Sequence, residues 1–111
     1  MLEILSSNTK DNFFKLIKET NKEIYLCTPF IKENIVNQIL LNKKENVKLT
    51  VITSNNIGYF LNKSVDISAI KKLINNNVKV FNYNSLHAKI YLIDNNAIIT
   101  SANLTNNAMY N

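Results

Sequence analysis

The side chains with chemistry to offer are concentrated between residues 86 and 105. His87 is the only histidine of the 111 residues, Lys89 follows two positions later, Asp94 five after that, and then come Ser101 and Asn103. Ile90, Leu92 and Ile93 precede Asp94-Asn95-Asn96, and Ala97, Ile98 and Ile99 follow it. Two apolar runs around such a triplet predict a β-hairpin with a tight turn. Strand side chains alternate between faces, so His87 and Lys89 share one face, and Ser101 and Asn103 share a face of the returning strand. If the strands pair, an imidazole, an ammonium, a hydroxyl and a carboxamide meet at one end of a sheet. That set suits an anion with an electrophilic centre: Lys89, Ser101 and Asn103 donate to its oxygens, and His87 is the nucleophile or proton carrier.

Each residue alone has an ordinary structural explanation. A lone His at a strand start is commonly structural, a lone Lys is a solvated charge, and Asp, Ser and Asn form turns and caps. The combination, interrupted by apolar residues on both strands, is hard to explain as surface.

The elements that must position these groups follow from periodicity. Residues 2–5 predict a short edge strand. Ser7, Asn8 and Thr9 offer helix caps, Asp11 lies in the first turn, and Phe13, Phe14, Leu16 and Ile17 form an apolar stripe. Residues 23–28 predict a buried strand stopped by Pro29. A second helix is predicted over 31–41 with Ile31, Ile35, Val36, Ile39 and Leu40 inward, and a strand over 47–53. Residues 54–64 hold the only glycine, Gly58, and read as irregular. Tyr59-Phe60 there are either a lid over the core or a stacking surface for bases, and the lid is the simpler reading. Asp66 is a cap for a helix over 67–76 whose apolar face is Ile67, Ile70, Leu73 and Ile74. Asn75-Asn76-Asn77 ends it, with Asn suited to a left-handed cap. Residues 78–83 predict a strand, and residues 104–110 begin a last helix. Strands alternating with helices, then a hairpin, indicate an α/β fold with a mixed sheet.

Composition narrows the function. The chain is 46% apolar and 19% charged, so it is globular rather than disordered. No apolar run approaches the roughly 20 residues of a membrane helix, and the start lacks a signal peptide's features. The single cysteine, Cys27, cannot form an internal disulfide and lies in an apolar strand pattern, as a buried small hydrophobe in a reducing cytoplasm would. The net charge of +5 comes entirely from lysine, because the chain has no arginine. A basic domain favours polyanions, although an excess of Asn, Lys and Ile also reflects an AT-rich genome. Without arginine, nucleic-acid contacts are expected to the backbone rather than to guanine edges. One histidine and no carboxylate cluster with ligand spacing predict chemistry without a metal or other cofactor.

His87, Lys89 and Asp94 in the spacing His-x-Lys-x4-Asp, followed by Ser101-x-Asn103, resemble the signature of the phospholipase D superfamily in a short, nuclease-like form. Residues 24–30, ending in Pro29-Phe30, are similar to an early strand of that family. Thr100 departs from the family's usual glycine. The resemblance implies a mixed β-sheet flanked by helices on both faces, with the motif on a C-terminal β-hairpin. It implies a metal-independent phosphodiesterase acting on nucleic acid: one His attacks phosphorus to form a phosphohistidine, and a second protonates the leaving oxygen. Lys89 and Asn103, with Ser101, hold the nonbridging oxygens, and Asp94 orients an imidazole. With one motif copy and one His per chain, both roles require a homodimer that shares one composite site.

The family's next segment, Asn-x-Glu, would begin at Asn111. Residues 1–111 then form a single domain truncated at its C-terminal end, expected at the front of a larger helicase-like or restriction-type protein. Two other functions remain open: a catalytically silent nucleic-acid-binding module fused to a helicase, and a phospholipid-directed phosphatidyltransferase. No membrane segment or basic amphipathic helix favours the latter.

Overall fold

The structure is a computed structural model that describes residues 2–4, 9–54, 67–83, 86 and 89–99. The described chain runs β1 (Leu2–Ile4), α1 (Thr9–Glu19), β2 (Glu23–Cys27), α2 (Glu33–Asn42), β3 (Lys48–Thr53), α3 (Ile67–Asn75), β4 (Lys79–Asn82), β5 (Ile90–Ile93) and β6 (Asn96–Ile99). The strands form one six-stranded sheet in the order β1-β6-β5-β2-β3-β4. β2, β3 and β4 are parallel, β5 runs antiparallel to β2 and to β6, and β1 is parallel to β6. The expected α/β class, mixed sheet and short first strand are therefore present.

Alternation explains which side of the sheet is packed. Ile24 and Leu26 of β2, Leu49 and Val51 of β3, Tyr91 and Ile93 of β5 and Ile98 of β6 are buried together with Phe13, Ile17, Ile35, Val36, Ile39, Ala69 and Leu73 of the three helices. Burying one such Ile or Leu contributes about 1.5–3 kcal/mol, so this layer dominates the fold's stability. The intervening strand residues face the other way. Tyr25 is 39% exposed, Leu92 42%, Ile99 43% and Phe81 55%. Among the described residues, helices thus cover one face of the sheet. Any helix over the second face falls outside the described residues. The helix expected over residues 104–110 lies outside the described residues, as do Tyr59-Phe60 and Asp66.

Two helices differ in detail from expectation. Ile31 is buried, as expected, but precedes α2, which starts at Glu33. In α3, Ala69 and Leu73 are buried while Ile67 and Ile74 are more than half exposed, so the inward stripe is rotated from the one expected. The end of α3 agrees with expectation. Asn77 takes the left-handed conformation with φ 61°, its N–H donates to Ile74 O at 3.1 Å, and the Val78 N–H donates to Leu73 O at 3.1 Å. This is the Schellman pattern, with Val78 packed in the same cluster as Leu73.

Candidate functional site

β5 and β6 form the expected hairpin, with Ile93 paired to Asn96 and a two-residue turn of Asp94 and Asn95. Asp94 has φ 52°, a conformation that Asp tolerates better than most residues. Its carboxylate closes the turn against the α1–β2 connection. Oδ2 accepts from the Asn21 N–H at 3.0 Å, and Oδ1 accepts from the N–H groups of Lys22 at 3.1 Å and Glu23 at 3.0 Å. The Asp94 N–H in turn donates to Glu23 O at 3.0 Å. The neighbouring Thr20 hydroxyl and the N–H groups of Glu23, Asn21 and Lys22 hold this carboxyl well below the usual carboxylate range. Thr20 Oγ1 is buried and does not itself reach hydrogen-bond geometry with a described group, so the three backbone N–H groups are the anchors.

Lys89 stands at the other end of the same strand. Asp94 lies five steps along the extended chain, or about 17 Å at 3.4 Å per residue. The two described members of the motif are thus not brought together. Both oxygens of Asp94 are engaged by the backbone of residues 21–23, at the sheet end away from Lys89. His87, Ser101 and Asn103 lie outside the described residues.

Because β5 is antiparallel to β2, Lys89 lies at the carboxyl end of the parallel strands. Open α/β sheets bind their ligands at that end. Ile90 pairs with Cys27, so one further step in register sets Lys89 beside Thr28. Thr28, Thr53 and Ser54 are buried polar residues here, at 0%, 2% and 0% exposure. Thr28 Oγ1 donates to Phe30 O at 2.9 Å and Thr53 Oγ1 to Pro29 O at 3.3 Å, which turns the chain sharply after β2. The Tyr83 N–H donates to Thr53 O at 2.9 Å and the Leu86 N–H to Tyr83 O at 3.1 Å, leading the chain back toward the motif. Leu86, next to His87 in sequence, is buried. The residues near Lys89 that sequence reasoning missed are Thr28, Thr53 and Ser54. A signal was available: Thr28 continues the buried alternation Ile24-Leu26, and Thr53 continues Leu49-Val51.

A cavity of about 650 Å³ opens at the opposite end, where β2, β3 and β4 begin, between Tyr25, Lys43, Lys48, Thr50 and Lys79. It is remote from Lys89, and two of its polar side chains are engaged locally. Lys43 Nζ donates to Lys44 O and Val47 O, and the Tyr25 hydroxyl donates to Glu23 Oε2. Cys27 is half-buried, and burial pushes its thiol up, away from a nucleophilic state. Among the described residues no three His, Cys, Asp or Glu side chains gather as metal ligands, and no helix is long and apolar enough to cross a membrane.

A mixed α/β sheet of this kind is compatible with the fold of phospholipase D-like domains. The family model described as "Cardiolipin synthase, PLD-like domain" matches residues 13–111, and the chain belongs to that family within the phospholipase D superfamily. No curated protein matches the chain. Among solved structures it is similar to TrmBL2, an archaeal chromatin protein whose structure is described as showing a novel mode of DNA binding. The TM-score is 0.54 at 18% identity, and the match covers 79% of this chain and 33% of that one. The chain thus spans about a third of the length of that structure, and the likeness is one of fold.

Proposed function

We propose that the chain is a metal-independent phosphodiesterase acting on nucleic acid. The observation that carries this reading is the position of Lys89, at the carboxyl end of the parallel strands beside Thr28, in a chain of the phospholipase D superfamily. In the first step, His87 attacks phosphorus, a nitrogen–phosphorus bond forms, and the phosphorus–oxygen bond to the leaving group breaks. His87 of a second copy protonates the departing oxygen and then takes a proton from water. That water displaces the histidine and releases the phosphate product. Lys89, Ser101 and Asn103 hold the nonbridging oxygens as charge develops. Asp94 takes no chemical part and secures the hairpin that carries Lys89. The protein acts in the cytoplasm as a homodimer, contacts the nucleic-acid backbone, and serves as one module of a longer helicase-like or restriction-type protein.

A second reading, binding of nucleic acid without cleavage, draws support from the DNA-binding chromatin protein of similar fold. Wild type and His87→Ala are to be compared on labelled oligonucleotides in EDTA. Cleavage by wild type alone is the expected result, and binding by both without cleavage by either supports the second reading. Cleavage lost in EDTA and restored by Mg²⁺ would count against the mechanism. Activity on phospholipid vesicles but not on oligonucleotides would redirect the assignment to lipid.

A further inference from the structure

The sheet face away from the described helices divides into two halves of different chemistry. Toward β6 it is aliphatic, with Leu92 and Ile99 exposed. Toward β4 it is aromatic and cationic. Register sets Tyr25, Thr50 and Lys79 in one row across β2, β3 and β4, and Ile52 and Phe81 in the next. Lys48 lies two residues before Thr50 and so shares this face. Tyr83 carries the ladder one step past β4, since its N–H donates to Thr53 O at 2.9 Å. Lys48 and Lys79 are exposed, and Phe81 and Tyr83 are 55% and 60% exposed. Scattered exposed rings need no explanation, but rings and ammonium groups placed in rows do.

Tyr25 is held in place. Its hydroxyl donates to Glu23 Oε2 at 3.2 Å, two residues back on the same face, so the ring lies along β2 with one side toward solvent. That bond also occupies the carboxylate beside Lys48 in register. Among the described residues no acidic side chain is ion-paired with Lys48 or Lys79. Aromatic rings interleaved with ammonium groups match a ligand that is itself flat rings on an anionic backbone, which is a nucleic-acid strand. Spacing selects its form. Phe81 and Tyr83 are about 6.6 Å apart along the chain, twice the roughly 3.4 Å rise between stacked nucleotides. Bases that are paired and stacked in a duplex cannot turn their faces to these rings, whereas the splayed bases of a single strand can.

We propose that the β2–β3–β4 half of this face binds single-stranded nucleic acid, with bases stacked on Tyr25, Phe81 and Tyr83 and phosphates held by Lys48 and Lys79. This rests on the reading of nucleic acid as the ligand and adds its strandedness and a second contact surface. Tyr83 stands at the carboxyl end of the sheet, three strand spacings or about 14 Å from Lys89. A strand seated on this face therefore leads to the proposed phosphate site. At its other end lies the cavity of about 650 Å³, lined by Tyr25, Lys48, Thr50 and Lys79 and also by Glu23 and Glu45, within the size range of small-ligand pockets and roomy enough for one nucleotide.

The test uses the full chain carrying His87→Ala, so that binding is read without cutting, with labelled oligothymidylate and a duplex of the same length in fluorescence anisotropy. The single strand should bind about tenfold or more tighter than the duplex. Phe81→Ala and Tyr25→Ala should each weaken single-strand binding about fivefold or more, while Phe81→Tyr retains it. Lys48→Ala and Lys79→Ala should each reduce the slope of log affinity against log salt by about 0.7. Leu92→Ser, in the aliphatic half, should leave affinity unchanged. If an aromatic variant does not fold, the two lysine variants carry the comparison. Wild type that cuts no oligonucleotide, beside His87→Ala chain that binds single strands through Phe81 and Lys79, would defeat the phosphodiesterase reading and uphold this one. Cutting by wild type with affinity unchanged in the Tyr25, Phe81, Lys48 and Lys79 variants would do the reverse. Equal affinity for duplex and single strand overturns the proposal, as do aromatic variants that alter self-association in place of oligonucleotide affinity, the sign of a protein partner on this face.

Discussion

At the scale of residues, Lys89 and Asp94 belong to one sequence motif but perform separate work. Lys89 lies at the carboxyl end of the parallel strands, where the proposed phosphate site is. Lys89→Ala should leave the fold intact and lower turnover on the order of 100-fold or more, as loss of a charge-stabilising donor does. A folded variant that cuts at near the wild-type rate would remove Lys89 from the mechanism. Asp94 should respond in the opposite manner, through stability. Asp94→Asn keeps an acceptor but loses the charge that three N–H groups share, and is expected to cost about 1–2 kcal/mol at neutral pH.

The pH dependence of that difference has a definite sign. The folded-state pKa of Asp94 is depressed, so its contribution is full above the ordinary carboxylate value of about 4 and declines as pH falls further. Urea denaturation of wild type and Asp94→Asn should therefore show a constant gap from pH 7 to about 5 and converging midpoints below about 4. The separation of the two residues was legible in principle, because four intervening strand residues cannot bring their ends together. The contacts of Asp94 were not. They depend on residues 21–23, more than 70 positions away in sequence.

At the scale of elements, periodicity located most of the described strands and helices, while the rotational phase of α3 was not legible. Isoleucines occupy both of its sides, so composition alone does not choose between them. The structure chooses Ala69 and Leu73, and a paired substitution checks that choice. Leu73→Ala should cost about 2–5 kcal/mol, as for buried Leu, and Ile74→Ala less than about 0.5 kcal/mol, as at a surface site. Comparable losses at both positions in a denaturation experiment would contradict the observed phase. The end of the helix was legible because Asn-rich sequence and left-handed geometry agree at Asn77.

At the scale of the molecule, one histidine per chain sets the stoichiometry of the proposed chemistry. In-line displacement needs a nucleophile and an acid on opposite sides of phosphorus, and a two-fold interface supplies the second from an identical chain. A heterodimer of wild-type and His87→Ala chains should then have almost no turnover, whereas independent sites would retain about half. A monomer with full activity at assay concentration would also refute the shared site. The mixed sheet was legible from the order of strands and helices. The exposure of Tyr25, Leu92, Ile99 and Phe81 was not, because their side of the sheet is as apolar as an interior strand face.

The clamp at Asp94 acts on Lys89 without touching it. A strand that slips by a single residue turns every side chain to the opposite side of its sheet. β5 is pinned at its far end by the carboxylate on residues 21–23, so the count from Asp94 back to Lys89 decides which side the ammonium emerges on. The fixed interval in the motif then works as a ruler. One end is fastened to the scaffold, and the other marks the point where a charge must appear. On that view the interval is as consequential as the residues that bound it, because one residue more or fewer between them would keep both groups in the chain and point the lysine away from the proposed phosphate site.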